Sequence, residues 1–238
     1  FKAQGIDIAG YNSVENAEDV NAIRQALGYD KIVYYGQSYG TLLGQFLLRA
    51  HPEILDAVIL DGIAPATATR WTDVTNIPES YERVFNACAA DAACNARYPD
   101  LEAQLTKAME KLKANPPVYP LSDGKGGAVD LKVDDTLAMN ALFINLYIAG
   151  GYSQLPDIIY KLAGGDYSAL NSNIPLYYQD AGVNRGQHLA IACSDDPVAS
   201  VDELHLDGPA VYNSLILDDA NMYITACSLL GLPLLPAS

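Results

Sequence analysis

KIVYYGQSYGTLLGQFLLRAHPEILDAVILD, residues 31–61, is the stretch on which the fold turns. It opens on a β-branched and aromatic run, KIVYY (31–35), which reads as a buried strand. Gly36-Gln37-Ser38-Tyr39-Gly40 then breaks the run, and TLLGQFLLRAHPE is helical up to the stop at Pro52. AVILD (57–61) follows as a second strand. Two strands joined by a short crossover helix pair in parallel, so the fold class is α/β. Upstream, Ser13 is the expected N-cap of VENAEDVNAIRQALG; Val20, Ile23 and Leu27 share one face and Gly28 ends the helix.

The turn between the first strand and its helix has the pattern G-x-S-x-G. In that setting the chain reverses so sharply that the serine is held in a strained conformation. Side chains two residues before and two after it would collide, which demands glycine at both positions. The strain lifts the Ser38 hydroxyl clear of the sheet edge, so Ser38 is a candidate nucleophile. Tyr39 starts the helix and offers its backbone N–H to a developing oxyanion. The plainer reading is a Gly-rich turn with an incidental serine, and the strand–turn–helix context weighs against it.

Composition narrows the rest. Among 238 residues, 50% are hydrophobic and 18% charged, which suits a globular fold rather than a disordered chain. A formal charge of −15 repels phosphates and anionic lipid, so neither nucleic acid nor a membrane surface is an expected partner. No apolar run is long enough to span a bilayer. Phe1 is not an initiator and no signal-peptide pattern is visible, so the chain is expected to come from a longer product. The four cysteines, Cys88, Cys94, Cys193 and Cys227, lack C-x-x-C spacing, and with three scattered histidines no metal site is expected. They suit either two bridges, Cys88–Cys94 and Cys193–Cys227, or four buried thiols.

Three segments follow. Residues 1–65 form the core with the serine turn. Residues 66–185 are mostly helical and read as an insertion. Residues 186–238 return towards the core. Within the insertion, LEAQLTKAMEKLKANPP is an amphipathic helix, and VYPLSDGKGGAVDL is a hairpin around a Gly-rich turn. That turn is no phosphate loop, since no G-K-[ST] follows, and no cofactor is expected. DDTLAMNALFINLYIAGG and YSQLPDIIYKLAGG are further helices ending in glycine pairs.

GIDIAGYNSVENAEDVNAIRQALGYDKIVYYGQSYGTLLGQFLLRAHPEILDAVILDGIAP resembles the core of α/β-hydrolases of the tripeptidyl-aminopeptidase-like group, relatives of the prolyl aminopeptidases. CAADAACNARYPDLEAQL, LPDIIYKLAGGDYSAL and LAIACSDD are similar, more loosely, to the group's cap and the segment returning from it. The resemblance implies an α/β-hydrolase parallel sheet with a mainly helical cap. It also implies a secreted or periplasmic serine hydrolase that removes short N-terminal pieces from peptides, and it favours the two disulfides.

Such a fold needs an acid and then a histidine after the serine. His51 precedes any acid and reads as a helix-end residue. His188, in RGQHLAIAC, stands where the family has no catalytic histidine. His205 follows Asp195 and Asp196 too closely. The resemblance therefore implies that acid and base lie beyond Ser238, and that the second oxyanion donor lies before Phe1. Two parallel strands alone leave both sheet edges open, so a companion fragment or further chain is expected to complete the sheet.

An aminopeptidase must also bind a free α-ammonium, which calls for carboxylates. Asp195 and Asp196 are the candidates, with Glu79 and Glu82 behind them; the plainer reading makes Asp195–Pro197 a turn. Asp61, at a strand end, reads as support for the following loop. Tyr147, Tyr152, Tyr177 and Tyr178 could line an apolar pocket, though most of the sixteen tyrosines must pack. Two other functions use the same fold: a carboxylic ester hydrolase through Ser38, and an inactive hydrolase-fold binding protein.

Overall fold

The computed structural model describes residues 2–67, 76–123, 126–173, 184–204, 206 and 209–235. The chain divides into two compact units. One comprises Phe1–Thr72, Val183–Leu204 and Ala220–Ser238, and the other Asp73–Gly182 and His205–Asp219.

The first unit begins with α1 (Ser13–Ala26), whose N-cap is Asn12 and not Ser13. The Asn12 carboxamide oxygen accepts from the Glu15 N–H at 2.9 Å. Ser13 cannot cap because its hydroxyl is engaged elsewhere, by Tyr39 and Asp195. Gly28, at φ +74°, terminates the helix as expected. The expected apolar face holds only in part: Val20 packs on the core formed by Ala17, Leu47 and Ile54, while Ile23 and Leu27 are exposed.

Strand β1 (Ile32–Gln37) leads through Ser38 into α2 (Tyr39–Ala50). Pro52 then opens a single 3₁₀ turn, Pro52–Ile54, before β2 (Leu55–Asp61). Pro52 ends the helix because its ring cannot donate to the α2 ladder. β1 and β2 pair in parallel, with Gly36 opposite Leu60 and Gln37 opposite Asp61. Among the described residues this sheet has these two strands. β1 is not the fully buried strand its composition suggests, since Val33 and Tyr35 are exposed, as is Ile59 on β2.

The second unit is mostly helical. α3 (Asn76–Ala90) and α4 (Ala92–Arg97) are joined by the Cys88–Cys94 disulfide. α5 (Leu101–Ala114) precedes the antiparallel hairpin of β3 (Val118–Ser122) and β4 (Ala128–Lys132). Then come α6 (Asp135–Tyr147) and α7 (Leu155–Gly164). Leu105, Leu112, Leu142, Ile159 and Leu162 are buried, the α5–α7 spacing bringing their apolar stripes together. Tyr81 stacks on Tyr212 with ring centroids 5.2 Å apart. Burial pushes both phenols well above their usual range.

Back in the first unit, α8 (Arg185–Asp195) is tied by the Cys193–Cys227 disulfide to α9 (Asn213–Leu230), whose second half belongs there. All four cysteines are therefore bridged, and the alternative of four buried thiols does not hold. No helix among the described residues is long and apolar enough to cross a membrane.

Candidate active site

The site is built where β1 gives way to α2. Ser38 sits between them at φ 52° and ψ −121°, a conformation that L-residues rarely adopt. Holding a side-chain-bearing residue there costs about 1–3 kcal/mol and requires the surroundings to impose it. Several bonds do so. The Ser38 N–H donates to the Asp61 carbonyl at 3.1 Å, which ties the turn to the end of β2. The Ser38 carbonyl accepts from the Thr41 N–H at 2.9 Å and from the Thr41 hydroxyl at 2.7 Å. Thr41 is wholly buried, and its Oγ1 also accepts from the Ala64 N–H at 2.9 Å. One side chain thus locks both the turn and the loop after β2. Ser38 itself is exposed and its hydroxyl makes no capping bond to the helix.

The two glycines of the turn are not equivalent. A Cβ on Gly36 would lie 2.1 Å from the Gly40 carbonyl oxygen and 2.8 Å from Tyr34 Cε1. A Cβ on Gly40 would find only Tyr34 Oη, at 3.8 Å, an ordinary contact. The expectation that both positions exclude a side chain is corrected at Gly40. The close approach is of Gly36 to the backbone of Gly40, and the Tyr34 hydroxyl clamps it by donating to the Gly40 carbonyl at 2.7 Å.

Tyr39 is the first residue of α2, so its N–H is among the donors that no carbonyl of the helix can reach. Its side chain runs back to α1. There the phenol oxygen lies 2.8 Å from Ser13 Oγ and accepts from Asn16 Nδ2 at 2.9 Å. Ser13 donates in turn to Asp195, its N–H to Oδ1 at 3.3 Å and its hydroxyl to Oδ2. Burial raises the pKa of the Tyr39 phenol. It also raises that of the Asp195 carboxyl, against the opposing pull of the two Ser13 bonds.

The remaining candidates are placed as follows. Asp196 is the half-buried C-cap of α8. Asp61 accepts from the Tyr35 hydroxyl at 2.7 Å, which raises that phenol's pKa. Glu79 and Glu82 lie exposed on α3 in the other unit, Glu79 being paired with Arg83 at 3.7 Å. His51 caps the end of α2 and meets Glu18 at 2.9 Å and Glu53 at 3.5 Å. His188 is engaged by the Tyr223 hydroxyl. Tyr147 and Tyr152 are exposed. His205, Tyr177 and Tyr178 lie outside the described residues. No group of three or more metal-ligating side chains occurs among the described residues.

A strand, a serine at positive φ and a helix presenting an unpaired N–H form the geometry on which hydrolases of this fold build acyl transfer. A family model described as the alpha/beta hydrolase fold matches residues 4–143, more than half of the chain. The chain belongs to the alpha/beta hydrolase fold family. This α/β hydrolase is also similar to the serine protease Hip1 of Mycobacterium bovis and of Mycobacterium tuberculosis, with 39% identity over 103 residues in each case. The matched stretch covers 43% of this chain and 20% of the relative's own length.

Sequence reasoning missed Thr41, Asn16 and the role of the Ser13 side chain. Thr41 was visible as a hydroxyl three residues past the serine, where it can reach back to the turn. The Ser13–Asp195 bond spans 182 residues, and no local pattern signals it.

Proposed function

We propose that this α/β hydrolase is a serine peptidase acting near peptide N-termini, with Ser38 as its nucleophile. The observation that carries this reading is the exposed Ser38 at φ 52°, held between β1 and α2 beside the unpaired N–H of Tyr39. The similarity to a serine protease supports it. In the acylation step a histidine takes the Ser38 hydroxyl proton, Oγ bonds to the scissile carbonyl carbon, and the Tyr39 N–H donates to the oxyanion. The C–N bond then breaks, the histidine returns the proton to the leaving amine, and water hydrolyses the acyl-enzyme. His51 and His188 are engaged by Glu18, Glu53 and Tyr223, and we assign the base to neither. Asp196, the half-buried C-cap of α8 beside Asp195, is the carboxylate we propose for an α-ammonium. The two disulfides support an oxidising compartment, secreted or periplasmic.

Full-length protein is expected to cleave an unblocked aminoacyl- or peptidyl-naphthylamide at least about tenfold faster than its N-acetyl form, because only the former offers a cation to a carboxylate. Equal rates on both, with faster turnover of small esters, would instead support the ester hydrolase.

We also propose that β1 and β2 are extended by further strands from a companion segment. Among the described residues this sheet has two strands, so each has one edge without a strand partner there, and Val33, Tyr35 and Ile59 are exposed on the sheet. Native mass spectrometry of the purified protein is expected to show additional polypeptide. A folded 25.5 kDa species alone would remove this proposal.

A further inference from the structure

Ser13, Asn16, Tyr39 and Asp195 form a continuous hydrogen-bonded chain that ends on the residue after Ser38. Its direction follows from counting protons. Ser13 has one hydroxyl hydrogen and gives it to the Asp195 carboxylate, which can only accept. The Ser13 oxygen, 2.8 Å from Tyr39 Oη, must then accept from Tyr39. Tyr39, its own hydrogen so used, accepts from Asn16. One negative charge at the end of α8 therefore orients every hydroxyl as far as the first residue of α2. Ser13 is fully buried and Tyr39 half-buried, which limits their freedom to re-pair with water. The Cys193–Cys227 disulfide, two residues before Asp195, fastens the end of α8 that carries the carboxylate.

We infer that Asp195 is a positioning residue for the hydrolytic step. Through Ser13 it pins the Tyr39 side chain, and so fixes where the Tyr39 backbone N–H points relative to Ser38. This differs from binding a substrate amine, the role its residue type first suggests, because each carboxylate oxygen already accepts from Ser13, which is fully buried. The inference rests on Ser38 being the nucleophile.

Asp195→Asn tests it sharply. With the new amide nitrogen facing Ser13 Oγ, the substituted side chain reverses the hydrogen-bond chain and strands the Tyr39 hydroxyl hydrogen between two donors. With that nitrogen facing the Ser13 N–H, two donors collide. Neither orientation restores the native pattern. In full-length protein, D195N is expected to slow labelling of Ser38 by a fluorophosphonate about tenfold to a hundredfold. The same factor should appear in kcat for unblocked and N-acetyl naphthylamides alike, with KM unchanged. Folded D195N that labels at the wild-type rate overturns the inference. So does a loss confined to unblocked substrates and seen in KM, which would mark Asp195 as an amine ligand.

If D195N does not fold, Ser13→Ala and Tyr39→Phe each delete one oxygen of the same chain. Slowed labelling in these folded variants supports the inference and unchanged labelling overturns it. Absence of labelling in the wild type is a separate result: it removes Ser38 as nucleophile and this inference with it.

Discussion

Ser38→Ala is expected to abolish fluorophosphonate labelling of the full-length protein and to lower its hydrolytic kcat on the order of 10⁴–10⁶-fold. Alanine removes the attacking oxygen and little else. The Ser38 side chain is exposed and makes no capping bond, while the backbone bonds to Asp61 and Thr41 do not depend on it. Stability should therefore stay within about 0.5 kcal/mol of the parent, the usual range for surface changes away from special contacts. A large kinetic loss without a stability loss is the signature of a nucleophile. Labelling that persists in S38A would assign the reactive group elsewhere. A wild-type protein that never labels would favour the inactive, binding form of the fold.

Gly36→Ala should have the second largest effect, and through a different route. The new methyl group would sit 2.1 Å from the Gly40 carbonyl oxygen and 2.5 Å from the Gly40 carbonyl carbon. Both are backbone atoms within an element, so no side chain can swing aside. Either the end of β1 or the start of α2 must shift. The expected destabilisation is about 3 kcal/mol or more, at the upper end for overpacking. The shift would also turn the Tyr39 N–H relative to the Ser38 hydroxyl, and a displacement of about 1 Å at a reacting centre is worth roughly a hundredfold in rate. Gly40→Ala is the control: its methyl would meet only Tyr34 Oη at 3.8 Å, so the loss should be under about 1 kcal/mol. Urea unfolding of the two variants side by side measures the difference. Equal midpoints would mean that the turn is looser than these distances require.

The glycine pair also shows how far a motif can be read. Gly36 and Gly40 look alike in G-x-S-x-G, and steric reasoning about a sharp turn forbade a side chain at both. The asymmetry arises because the helix turns the Gly40 carbonyl towards Gly36, while a Cβ on Gly40 would make only an ordinary contact with Tyr34 Oη. Gly44 carries the complementary lesson. It looks like an ordinary helix glycine, yet a Cβ there would meet Tyr34 Cε1 at 2.7 Å and Leu60 Cδ2 at 2.8 Å. It lets α2 lie close on the sheet, a need set by neighbours from both strands.

The cap of α1 makes a similar point. Ser13 and Asn12 are both good capping residues, and local preference cannot choose between them. The choice is made by Asp195 and Tyr39, which recruit the Ser13 hydroxyl and leave Asn12 to cap.

From residues 31–61 alone one could read a parallel β–turn–α–β unit, the exposed serine at its bend and the end of its helix at Pro52. Each of these is written in short-range physics: the conformational range of glycine and proline, β-branched runs, and the reach of a hydroxyl over three residues. The company kept by Asp195 and the unequal roles of Gly36 and Gly40 were beyond that reading. They depend on which distant segments meet, and burial of apolar surface, being non-directional, drives association without naming partners in a local stretch of chain. Only packing in three dimensions brings a carboxylate 182 residues away onto the serine that leads back to the turn.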